Sequence, residues 1–165
     1  MDISRIMVFV GRAARFALVV CAVYAPGRMI YLRRRGRKAD WRGEIVKLLA
    51  VGYLAALAEI IALRGGPGET RELRLVPLGT TLSTLKEGAW PFIYNLVGNL
   101  AWFVPLGVLL RRMPPARVLL TGAAVSLSLE VLQWLLKTGV TDIDDVILNA
   151  LGALTGCLIA RKLKR

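Results

Sequence analysis

Apolar residues gather in five long runs along this chain, at residues 6–32, 44–63, 94–110, 118–136 and 145–160, separated by stretches rich in arginine and lysine. Most of these runs match or approach the roughly 17–25 residues that a helix needs to cross a bilayer. The pattern predicts an all-α, polytopic transmembrane helix bundle of about five spans. The first run is the poorest, because Arg12, Arg15 and Arg28 interrupt it. The fifth is short, but the snorkelling stems of Arg161 and Lys162 extend it. Pro105 and Gly107 fall inside the third and predict a kink towards its far end.

The polar positions between the runs set an orientation. Arg33, Arg34, Arg35, Arg37, Lys38 and Arg42 follow the first run. Arg111, Arg112 and Arg117 follow the third, and Arg161, Lys162, Lys164 and Arg165 follow the fifth. With five spans these three groups alternate onto one side, which the positive-inside rule makes the cytoplasm, together with the C-terminus. Arg5, Arg12 and Arg15 oppose this assignment and are outnumbered. Residues 1–43 are then an N-terminal membrane segment with its basic loop, and residues 44–165 the main transmembrane domain.

The connection over residues 64–93 is long enough to expect a function. It opens on Gly65-Gly66-Pro67-Gly68, a flexible turn, and continues with Leu73, Leu75, Val76, Pro77 and Leu78, apolar enough to dip into the interface. Trp90, Phe92 and Tyr94 cluster where the third run begins, as expected at a headgroup boundary.

Composition sharpens the class. The chain has 165 residues, 56% of them apolar, and a formal net charge of +12. A soluble domain would spread such a charge over a broad polar surface. A nucleic-acid binder would interleave it with aromatics on one face. Cations in bursts between apolar runs fit neither, so no nucleic-acid partner is expected. There is no histidine, which excludes a Ser-His triad, a histidine base and imidazole metal ligands. Cys21 and Cys157 each lie within an apolar run and read as packing residues. The first run lacks a small-residue cleavage site and is expected to remain as a span.

Three polar pairs lie inside the apolar runs: Asn95 and Asn99, Glu130 and Gln133, Asp145 and Asn149. Spacings of three or four place each pair on one helix face. Such groups are costly in hydrocarbon unless they are paired or line a wet cavity. In the threading above all three pairs fall in the outer half of their spans, with Glu59 at similar depth and Asp142 and Asp144 at the mouth. Two plain structural roles compete with a functional one. Asparagine and glutamine commonly join helices inside membranes, and Thr141 or Asp142 can cap the fifth helix. Asp145, Asn149, Gly152 and Gly156 step by four, three and four, so one face carries both polar groups and the small-x3-small packing spacing. That face places the fifth span centrally.

Carboxylate and amide oxygens without histidine or cysteine suit a polar headgroup, a sugar or a hard cation; no resident cofactor is implied beyond a divalent cation at this layer. A buried Glu130 suits acid or base work. No nucleophile arrangement is recognisable, so catalytic residues stay unassigned.

The segment Asn95-Leu-Val-Gly-Asn99-Leu-Ala-Trp-Phe-Val-Pro105-Leu-Gly107 resembles the third-span motif of the VanZ-like family. Glu130-Val-Leu-Gln133 followed by Asp142-Ile-Asp-Asp145-Val-Ile-Leu-Asn149-Ala-Leu-Gly152 resembles its C-terminal motif in order and spacing. Arg74-Leu-Val-Pro77-Leu is similar to its outer-loop Asn-Leu-Ile-Pro-Phe, departing at Arg74 and Leu78. Lys137-Thr-Gly-Val-Thr stands where many members carry an arginine before the first aspartate. The likeness covers about residues 70–160. It implies a multi-pass protein of the bacterial cell membrane. The family's namesake is associated with low-level resistance to teicoplanin-type lipoglycopeptides. Membrane lipids are the implied partners, with a lipid-linked wall intermediate or a lipoglycopeptide as candidate ligand. Three functions stay open: an envelope protein that engages such a ligand, a small transporter or cation pathway through Glu59, Glu130 and Asp145, and a membrane enzyme acting on a headgroup.

Overall fold

The computed structural model describes residues 3–62 and 72–163. They form α1 (Ile3–Arg34), α2 (Trp41–Ala62), β1 (Glu72–Arg74), α3 (Gly79–Glu87), α4 (Ala89–Leu109), α5 (Pro115–Leu136), β2 (Val140–Asp142) and α6 (Ile143–Lys162). Among the described residues four helices are long and apolar enough to cross a membrane: α1 from Val10 on, α4, α5 and α6. α2 has a span's length at 22 residues, with Arg42, Glu44 and Lys47 gathered near its start. The chain is thus an all-α membrane bundle of about five spans. Large apolar side chains such as Leu120, Leu127, Leu135 and Leu158 point outwards, as a lipid-facing surface requires.

The chain divides into two compact units, Met1–Arg64 and Gly65–Arg165. In the first, α1 is continuous despite its arginines because α2 supplies partners for two of them. Arg12 pairs with Glu59 at 2.9 Å. Arg28 donates two hydrogen bonds to Glu44, at 2.8 and 3.0 Å. Glu59, expected from the sequence to join the polar layer of the later spans, is thereby engaged inside the first unit.

In the second unit α6 packs against both α4 and α5, while α4 and α5 scarcely meet. Its core includes Phe103, Val118, Leu148, Ala153 and Cys157. Glycine allows the backbones to approach closely. A Cβ added at Gly152 would overlap the Leu100 carbonyl oxygen, and one at Gly156 the Val104 carbonyl oxygen. From the other helix, a Cβ at Gly107 would overlap the Ala153 carbonyl oxygen. Gly122 of α5 lies against Ala153 and Ala150. Pro105 is exposed on α4, between the buried Phe103 and Leu106, and the helix runs through it to Leu109.

The two ends of this bundle differ. At one, Arg161 donates from Nε to the Arg111 carbonyl at 2.9 Å and from Nη2 to the Met113 carbonyl, tying α6 to the α4–α5 turn. At the other, β1 and β2 form a parallel ladder with Glu72 opposite Val140, Leu73 opposite Thr141 and Arg74 opposite Asp142.

The ladder and α3 were not expected. Strands of three residues are too short for their alternation to register, and α3 has only nine residues. The third span also begins at Ala89 rather than Tyr94. Gly88, at φ 139°, closes α3, and Pro91 falls in the first turn of α4, where its missing N–H costs no helical bond. Residues 63–71, with the Gly65-Gly66-Pro67-Gly68 turn, lie outside the described residues.

Candidate functional site

The site is assembled at the ladder end, where the N-termini of α3 and α6 meet the last turns of α5. Helix N-termini present unsatisfied N–H groups and a positive dipole end, and here both receive carboxylates. Asp142 is the N-cap of α6 and accepts the Asp144 N–H at 2.9 Å. Its other oxygen accepts the Thr80 hydroxyl. Asp144, fully buried, reaches to α3. It accepts the Leu78 N–H with one oxygen; the other accepts the Thr81 N–H at 2.8 Å and the Thr81 hydroxyl at 2.9 Å. Leu78 sits in the left-handed region at φ 62° and has no side-chain cap of its own. Asp144 therefore caps α3 from another helix.

α5 continues the polar layer inwards. Glu130, 1% exposed, accepts the Asp142 N–H at 3.1 Å, and its backbone carbonyl accepts the Thr141 hydroxyl at 3.2 Å. Asn149 of α6 donates to the Ser126 hydroxyl at 2.8 Å, while its Oδ1 has no hydrogen-bond partner among the described residues. Gln133 is also 1% exposed, and neither atom of its amide has such a partner. The amide nitrogen lies against Gly139, where a side chain would overlap it.

On the α4 side, Asn99 donates to Asp145 at 2.6 Å. Asn95 is half-buried, and its Oδ1 again has no partner among the described residues. The sequence-predicted residues thus fall into two sets on α6. Glu130 and Asp142 are bonded to each other and Asn149 to Ser126 on the α5 side, with Gln133 of α5 against Gly139, while Asn99 and Asp145 are bonded where α6 faces α4. Asp145 and Asn149 share a helix face in sequence but are bonded to different neighbours. Among the described residues no three His, Cys, Asp or Glu side chains are grouped so as to hold a metal ion.

Thr80, Thr81 and Ser126 enter the site without having been singled out from the sequence. Thr80 lines a groove of about 470 Å³ together with the polar Arg74, Ser83 and Glu87 and the apolar Leu73, Leu75 and Val76. The Arg74 guanidinium is held above its ordinary pKa, first by its hydrogen bond to Glu72 and then by the nearby carboxylates.

A family model described as VanZ/LLP1 matches residues 45–164. No curated protein and no solved structure matches the chain.

Proposed function

The chain belongs to the VanZ/LLP1 family, and from that premise we propose that it serves the cell envelope by holding the polar head of a lipid-linked amphiphile at the ladder end of its bundle. The observation that carries this reading is Gln133: a fully buried amide with neither atom partnered among the described residues. A protein does not ordinarily bury such a group unless something completes its hydrogen bonds. Asn149 Oδ1 and Asn95 Oδ1 add acceptors at the same end. The adjoining groove is lined by both polar and apolar side chains, which suits a ligand that is itself a sugar or phosphate head on a lipid chain. A lipid-linked wall intermediate, a phospholipid headgroup and a lipidated glycopeptide share that chemistry. Tolerance of teicoplanin-type lipoglycopeptides is accordingly one phenotype to score.

The side of the membrane follows in this reading from the opposite end of the bundle, where Arg111, Arg112, Arg117, Arg161 and Lys162 gather. The positive-inside rule puts that end in the cytoplasm and the polar layer in the outer leaflet. Substitution tests the reading. Glu130→Gln keeps an acceptor for the Asp142 N–H but removes the charge, and Asp145→Asn does the same opposite Asn99. Both variants are expected at wild-type abundance in the membrane with the envelope phenotype of a deletion strain. Full function in both at wild-type abundance returns these residues to the role of interhelical contacts.

A further inference from the structure

We infer that the α1–α2 hairpin is a second, separate lipid site, holding one anionic glycerophospholipid with an acyl chain between the helices and its phosphate on the arginine-rich turn. The groove has a volume of about 120 Å³ and is walled by Tyr24, Ala25, Met29, Trp41, Ile45 and Leu48. These are carbon surfaces suited to methylene groups. The charges at its mouth are already compensated. Arg28 grips Glu44 with two hydrogen bonds, Lys47 adds a third at 2.7 Å, and the Arg28 guanidinium lies 5.2 Å from the Tyr31 ring centroid. A headgroup is therefore not drawn down into the groove.

The cations for it stand beyond, on the turn. Arg33, Arg34, Arg35, Arg37, Lys38 and Arg42 are all exposed there, against the single carboxylate of Asp40. That turn has a defined conformation. The Arg37 N–H bonds the Leu32 carbonyl at 3.0 Å and the Gly36 N–H the Arg33 carbonyl at 3.1 Å, with Gly36 left-handed at φ 61°. This is the double-bonded helix stop that glycine permits. Arg35 is further positioned 5.7 Å from the Tyr31 ring centroid. Trp41, 63% exposed, marks the headgroup level at the groove's rim. Cation clusters beside a span attract anionic headgroups. A groove leading to such a cluster adds selectivity for a molecule with both parts.

The test is native mass spectrometry of the full chain titrated with phosphatidylglycerol and, separately, phosphatidylcholine. One phosphatidylglycerol should be retained in preference to phosphatidylcholine by roughly tenfold. The triple variant Arg33→Gln, Arg35→Gln, Arg37→Gln should lose that preference, and lysine at the same positions should keep it. Ala25→Phe, which fills the groove and leaves every cation in place, should also weaken retention, with thermal stability in detergent showing that the variant is folded. Glycerol phosphate should not compete. Equal retention of both lipids, unchanged retention in a folded Ala25→Phe variant, or competition by glycerol phosphate overturns the proposal.

Discussion

Removing the Asp144 carboxylate would free two backbone N–H donors and a hydroxyl at the start of α3 at one stroke. A helix cap contributes about 1 kcal/mol and a hydrogen bond to a charged group about 1.5–3 kcal/mol. Asp144→Ala should therefore destabilise the chain by about 2–4 kcal/mol, and Asp144→Asn, which keeps one acceptor oxygen, by less. Hydrogen exchange localises the effect: the amides of α3 should lose protection before those of α5 or α6. At this scale the sequence was half legible. Mid-helix amides and acids stand out in apolar runs, so Glu130, Gln133 and Asn149 could be singled out. Thr80 lies 62 residues from Asp142, and no spacing rule connects a threonine with a carboxylate that far away. Asp142 was legible as a cap. That Asp144 caps a different helix was not.

Among the elements, α6 depends most on the absence of side chains. Its glycines meet the α4 backbone, so even a methyl group must push the helices apart. Gly152→Ala and Gly156→Ala should each cost about 1–3 kcal/mol by overpacking. Gly98→Ala, in α4 with nothing within 4 Å of the added Cβ, should be neutral or slightly stabilising. Thermal unfolding of the three variants in one detergent checks the contrast; equal losses at all three would show that α6 does not pack on α4 through these glycines. The helices were legible because each apolar run is long. The ladder and α3 were not, because three-residue strands and a nine-residue helix carry too few periods to stand out from a loop. The ladder also depends on pairing between β1 and β2, which are distant in sequence and which no local pattern reports.

For the molecule as a whole, the apolar runs disclosed the membrane and the basic bursts predict an orientation, but composition could not tell a ligand site from interhelical contacts. Orientation is checked by cysteine labelling in a Cys21→Ala, Cys157→Ala background. A thiol at Lys137→Cys should react with an impermeant reagent from outside the cell, and one at Arg112→Cys only after permeabilisation. Reaction of both from the same side would break the five-span threading. The role of the buried layer is tested most directly at Gln133. Leucine there removes two polar atoms that have no partner among the described residues, so Gln133→Leu should leave the purified chain at least as stable as wild type. If the layer holds a lipid-linked head, mass spectrometry of the lipids co-purified with the two proteins should show that species with the wild type and not with the variant. A variant that loses stability while keeping the same lipids would contradict the account.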